Sequence, residues 1–194
     1  MNNVASVKDR LKNKSIATGK TVQELLTAYG LERTIFRLSK SQYASNFTLK
    51  GGIFLYAVFD GNYSRATTDI DLLAKRISND VKDMKAVFTD IFSLDVDDPL
   101  RFDLDSLDVR PITEFKDYHG VNVSIMAYLD RTRIPISIDI GFGDVIVPER
   151  VMMDFRLYSA TKTRTFMYRK RSKIKCTSGH KPPKGYSIPR ELPV

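Results

Sequence analysis

Asp69 and Asp71 stand two positions apart in the run Thr67-Thr68-Asp69-Ile70-Asp71-Leu72, and a glycine pair, Gly51-Gly52, precedes them. On a strand, side chains at i and i+2 leave the same face, so these carboxylates are spaced to hold a divalent cation together. A close glycine pair before a short apolar helix lets backbone N–H groups approach a phosphate. Asp139 adds a third acid. It lies where Ile134, Ile136, Ile138 and Ile140 alternate with Pro135 and Ser137, so it points away from the isoleucine face, with Gly141 and Gly143 leaving room beside it. Three acids on one sheet edge match a two-metal clamp, in which one ion orients a triphosphate and the other helps deprotonate an attacking hydroxyl. A phosphate cradle with metal carboxylates is the minimum equipment for handling a nucleoside triphosphate.

Each signal also has a purely structural reading. Carboxylates inside an apolar segment are costly unless compensated, and the compensation could be Mg2+ or a basic side chain such as Arg65 or Lys75. Capping by Thr67 or Thr68, a strand-end turn at Asp139 and a simple tight turn at Gly51-Gly52 also fit the residues. Asp95/Asp97 and Asp103/Asp105 repeat the Asp-x-Asp spacing in an acidic stretch and read as solvated loop charge. Gly19-Lys20-Thr21 imitates the end of a phosphate-binding P-loop, but Lys14 stands where that motif needs glycine. His119, His180 and Cys176 lack zinc-ligand spacing.

The elements that must position these residues follow from periodicity. Residues 4–15 and 21–40 read as helices, the second opened by the capping box Thr21-Val22-Gln23-Glu24. Phe47–Leu49 reads as a strand entering the glycine pair, Ile53–Phe59 as a helix, and Asp69–Ala74, where Ile70, Leu72 and Ala74 alternate with Asp69, Asp71 and Leu73, as a strand. Val81, Met84, Val87, Phe88 and Ile91 give residues 79–92 one apolar helical face. Leu107–Phe115, Val121–Leu129 and Ile134–Ile140 are predicted strands, the first two joined by a hairpin loop over residues 116–120. The order of elements is that of an α+β domain. Three segments are expected: N-terminal helices over 1–45, a core over 46–155 and a basic, irregular tail over 156–194.

Charge divides at the same place. Residues 1–155 carry 20 Lys/Arg and 22 Asp/Glu, whereas residues 156–194 carry 11 basic residues against Glu191 alone. The polycationic tail suits either RNA phosphates, with Tyr168 and Tyr186 able to stack on bases, or a solvated extension. The longest apolar run, Ile53–Phe59, is too short to span a bilayer, and residues 1–4 hold no hydrophobic signal core, so a cytoplasmic protein with no membrane partner is expected.

Together, Phe47-Thr48-Leu49-Lys50-Gly51-Gly52, Arg65-Ala66-Thr67-Thr68-Asp69-Ile70-Asp71-Leu72 and Ile136-Ser137-Ile138-Asp139-Ile140-Gly141 resemble the AbiEii/AbiGii abortive-infection toxins. These are nucleotidyltransferases of the DNA polymerase β-like superfamily, and the likeness covers roughly residues 15–155. It implies a mixed sheet with flanking helices, and a toxin of a type IV toxin–antitoxin pair acting in phage defence. The implied reaction is Mg2+-dependent transfer of a nucleotide from an NTP to an acceptor, tRNA or another RNA. Lys50, Gly51, Gly52 and Thr67 would surround the triphosphate. Asp69, Asp71 and Asp139 would be the catalytic, metal-holding acids, and an AbiEi-type antitoxin encoded nearby would be the partner. Members of the family continue into a helical half bearing a nucleotide-contacting lysine and a Lys-Asp-x-x-Asp-like helix. Nothing after Phe155 resembles that half, so the expectation includes a C-terminal truncation. Its extreme form is an inactive relic that binds only RNA or the antitoxin.

Overall fold

The computed structural model describes residues 3–53, 67–112, 120–143, 151–155 and 163–167. Helix α1 (Val4–Thr18) begins on the Asn3 side chain, which accepts from the Ser6 N–H, and stops at Gly19 in the left-handed region (φ 70°). Gly19 is thus a helix C-cap, its N–H donating to the Ser15 carbonyl, and Thr21 is the N-cap of the next helix. This use of both ends of Gly19-Lys20-Thr21 leaves the fragment no phosphate loop to form. Helix α2 (Val22–Lys40) carries the expected capping box in full: Glu24 N–H donates to Thr21 Oγ1, and Glu24 accepts from the Thr21 N–H.

A 3-10 turn (Ala44–Asn46) leads into strand β1 (Phe47–Lys50), and residues 51–53 are helical. The rest of the predicted helix to Phe59 lies outside the described residues, as do residues 113–119, which hold all of the predicted 116–120 loop except Gly120. Strand β2 (Ile70–Ala74), helix α3 (Val81–Ser93), strands β3 (Leu100–Ile112), β4 (Gly120–Leu129) and β5 (Thr132–Phe142), and the pair β6 (Val151–Phe155) and β7 (Thr163–Met167) complete the elements of the described residues. The seven strands form one mixed sheet in the order β3-β4-β5-β2-β1-β7-β6. Only β2–β5 and β1–β7 are parallel.

Two expectations need correction. Strand β3 begins at Leu100 rather than Leu107, so Asp103 and Asp105 belong to a strand and not to a solvated loop. Pairing with β4 shifts between Asp103 and Asp108; the extra residues break the period-2 pattern that would have revealed the strand. Residues 156–194 are not irregular throughout, because Thr163–Met167 pairs with β6 on one side and β1 on the other. Its β-prone Thr-Arg-Thr-Phe-Met composition is too short to stand out in a basic stretch.

One face of the sheet is apolar. Leu49, Leu72, Val123, Ile125, Ile136, Ile138 and Ile140 enter a core shared with Val7 and Leu11 of α1, Leu25 and Leu31 of α2, and Met84, Phe88 and Ile91 of α3. Helix α2 approaches β5 so closely at Gly30 that an added Cβ would lie 2.7 Å from Ile134 Cγ2 and 2.8 Å from Ile136 Cδ1. Phe92 stacks on Phe102 with ring centroids 4.7 Å apart, fastening α3 to β3. The same junction contains a buried ionic knot. Arg33 Nε donates to Asp98 Oδ2 at 2.9 Å, and Arg37 Nε lies 3.6 Å from that oxygen. Arg37 Nη1 donates to the carbonyl of Phe92. The two arginines of α2 thereby tie the α3–β3 connection to the N-terminal helices.

Candidate active site

The opposite face of the sheet carries the polar residues, and its layout follows from strand register. Lys50 on β1 is opposite Asp71 on β2, Asp71 opposite Asp139 on β5, Asp139 opposite Asn122 on β4, and Asn122 opposite Arg110 on β3. Directly paired residues project to the same side, so one row crosses five strands with two carboxylates near its middle. Asp69 joins them from the bend just before β2 rather than from the strand itself. One carboxylate oxygen from each of Asp69, Asp71 and Asp139 lies within 4.8 Å of the others, and all three residues are half-buried.

Three hard oxygen donors at that separation fit a hard divalent cation better than a soft or thiophilic metal. The electrostatics agree. Burial, and then the field of Asp69, push the Asp71 carboxyl above its ordinary range, with Asp139 adding to the rise. Lys50 and a hydrogen bond from the Gly52 N–H oppose it without cancelling it. Among the described residues the cation that reaches Asp71 is therefore Lys50 and not Lys75; Arg65 lies outside the described residues.

The glycine pair has a clear steric role here. Gly51 sits at φ 71°, and a Cβ there would run into the Asp71 carboxylate. A Cβ on Gly52 would fall 2.8 Å from Thr67 Oγ1. The pair lets the end of β1 pass close to both the acid and the threonine, and the Gly52 N–H is engaged by Asp71. Lys50, Gly51, Gly52 and Thr67 are thus gathered around the carboxylates, as the motif order suggests.

Reading the sequence misses Asn122. Its Nδ2 donates to Asp139 Oδ1 at 2.6 Å and to Ser137 Oγ at 3.0 Å. The signal was the hairpin: a two-residue turn at Asp130-Arg131 pairs Leu129 with Thr132, and counting back from there places Asn122 opposite Asp139. His119, His180 and Cys176 fall outside the described residues, as does the basic stretch beyond Met167. Among the described residues no helix is long and apolar enough to cross a membrane.

Against this geometry, comparison with known proteins gives one family. The family model described as nucleotidyl transferase AbiEii toxin, type IV toxin–antitoxin system, matches residues 33–177, well over half of the chain and past the change of composition at Phe155. No curated protein matches the chain.

Proposed function

The chain belongs to the AbiEii family of nucleotidyltransferase toxins of type IV toxin–antitoxin systems, and from that premise we propose that it transfers a nucleotide from an NTP to an RNA acceptor, with tRNA the foremost candidate. The observation that carries this reading is the convergence of Asp69, Asp71 and Asp139, with one oxygen of each within 4.8 Å of the others.

The three carboxylates would hold Mg2+, which when bound withdraws charge from phosphate oxygens and acidifies a nearby hydroxyl. The remaining work falls to the chain. Lys50, beside Asp71 in register, supplies positive charge for the triphosphate. Gly51 keeps the approach to Asp71 clear of side-chain atoms, the Gly52 N–H holds the Asp71 carboxylate, and the Thr67 hydroxyl beside Gly52 supplies a donor for phosphate. The helix-covered side of the sheet holds these groups rigidly, and fixed groups lose little entropy when they align an acceptor hydroxyl with the α-phosphorus. A type IV toxin implies an antitoxin partner; we take it to be an AbiEi-type protein, and both to act in the cytoplasm, where NTPs and tRNA are found.

Each α-32P-labelled NTP, incubated with the protein, Mg2+ and total RNA, should label RNA. Asp71→Asn should slow transfer by about 10^3-fold, the size expected when several kcal/mol of charge stabilisation are lost. Undiminished transfer by that variant would overturn the site, and label on protein instead of RNA would overturn the acceptor class.

A further inference from the structure

We propose that Asn122 is a positioning residue of the cation site, fixing the rotation of the Asp139 carboxylate so that it can share an ion with Asp69 and Asp71. This rests on the reading of the three acids as a cation site. A carboxylate turns easily about its last side-chain bond, because that torsion has no sharp staggered wells. At Asp139 the turn is blocked. Both hydrogens of Asn122 Nδ2 have acceptors, Asp139 Oδ1 at 2.6 Å and Ser137 Oγ at 3.0 Å. Those acceptors sit two residues apart on the same face of β5, so together they set the plane of the amide as well as its position. The acceptor-only oxygen of Asp139 also identifies which end of the amide faces it.

The residue type matters. An arginine or lysine at 122 would neutralise Asp139 and compete with a metal ion, and an aspartate would add a fourth negative charge. A neutral donor orients the ligand while leaving its charge for the cation. Groups that orient a metal ligand in this way typically contribute 10–100-fold to metal affinity. Its place on a separate strand makes the orientation depend on the β4–β5 register, which nine consecutive residue pairs hold.

The test is a Mn2+ titration followed by the electron paramagnetic resonance signal of free ion, together with thermal melting in EDTA. Asn122→Ala should weaken Mn2+ binding about 10–100-fold while melting in EDTA shifts little. Asn122→Leu, which keeps the volume but has no donor, should show the same loss, so that a cavity is not its cause. Ser137→Ala leaves the Asp139 bond in place and should lose less. Binding by Asn122→Ala and Asn122→Leu within twofold of the unaltered protein, with Asp139→Asn binding lost, would overturn the role of Asn122 alone. Unchanged binding by Asp139→Asn would instead remove the cation site on which the role depends.

Discussion

Asp98 and Asp71 are both carboxylates drawn in from solvent, and their surroundings are opposite in sign. The Asp98 side chain is fully buried between Arg33 and Arg37, both of which are themselves buried. Burial lowers the Arg37 guanidinium, and the Asp98 charge pushes back. Asp71 is half-buried among two other carboxylates with Lys50 as its counter-charge, and its proton is held more tightly than usual. At the first place the chain supplies the compensating cations itself; at the second, among the described residues, Lys50 does not cancel the rise that burial and the neighbouring acids impose on Asp71. A fold that can bury an aspartate between two arginines does not leave three acids together for want of basic residues. The difference separates charge that ties elements together from charge left open to an added ion.

Substitutions should split along this line. Asp98→Asn leaves two buried guanidiniums without their shared anion and should cost about 3–5 kcal/mol, the range for breaking one side of a buried ion pair; urea unfolding would measure it. An equal loss from Asp71→Asn would erase the contrast.

The next effect is a gain from added metal. Mg2+ or Mn2+ at about 100 times its dissociation constant should stabilise the protein by about 2.7 kcal/mol. Asp139→Asn should abolish that gain and Asp98→Asn should keep it, as thermal melts with and without metal would show.

A pH dependence follows from Asp71. Its carboxyl is raised in the fold, so the folded state binds that proton more tightly than the unfolded chain does. The resulting stability is complete below the unfolded value, about pH 4, and is lost as pH rises through the folded one. Metal-free protein should therefore weaken on going from about pH 4 into the weakly acidic range. Asp71→Asn should flatten this part of the curve in denaturant titrations across pH.

The smallest effect is a control outside both clusters. Thr21→Ala removes the helix cap that accepts from the Glu24 N–H and should cost about 1 kcal/mol by urea unfolding, independent of metal.

The sequence was most readable where local pattern decides structure. The capping box, the isoleucine alternation of β5 and the apolar face of α3 all come from spacing within one element, and each predicted its element to within a few residues. The three acids were readable for the same reason, since their neighbours are apolar and alternate. Long-range pairing hid the rest. Asp98 lies in an acidic run and looks solvated until Arg33, 65 residues earlier, is brought beside it. Asn122 is one polar residue among several on β4 until the hairpin register sets it against Asp139. The bulge in β3 erased alternation where Asp103 and Asp105 stand, and β7 is too short to announce itself.

The place of β7 in the sheet bears on what deletions would do. Strand β1 delivers Lys50 and the glycine pair to the carboxylates, and it is an interior strand because β7 pairs with its outer side, Met167 opposite Leu49. Without residues 151–167, Phe47–Lys50 would become a border, offering unpaired N–H and C=O groups to any passing chain. The polar row would then end at a sticky seam, and self-association would begin beside the site itself. The β6–β7 pair thus serves as the hem of the sheet.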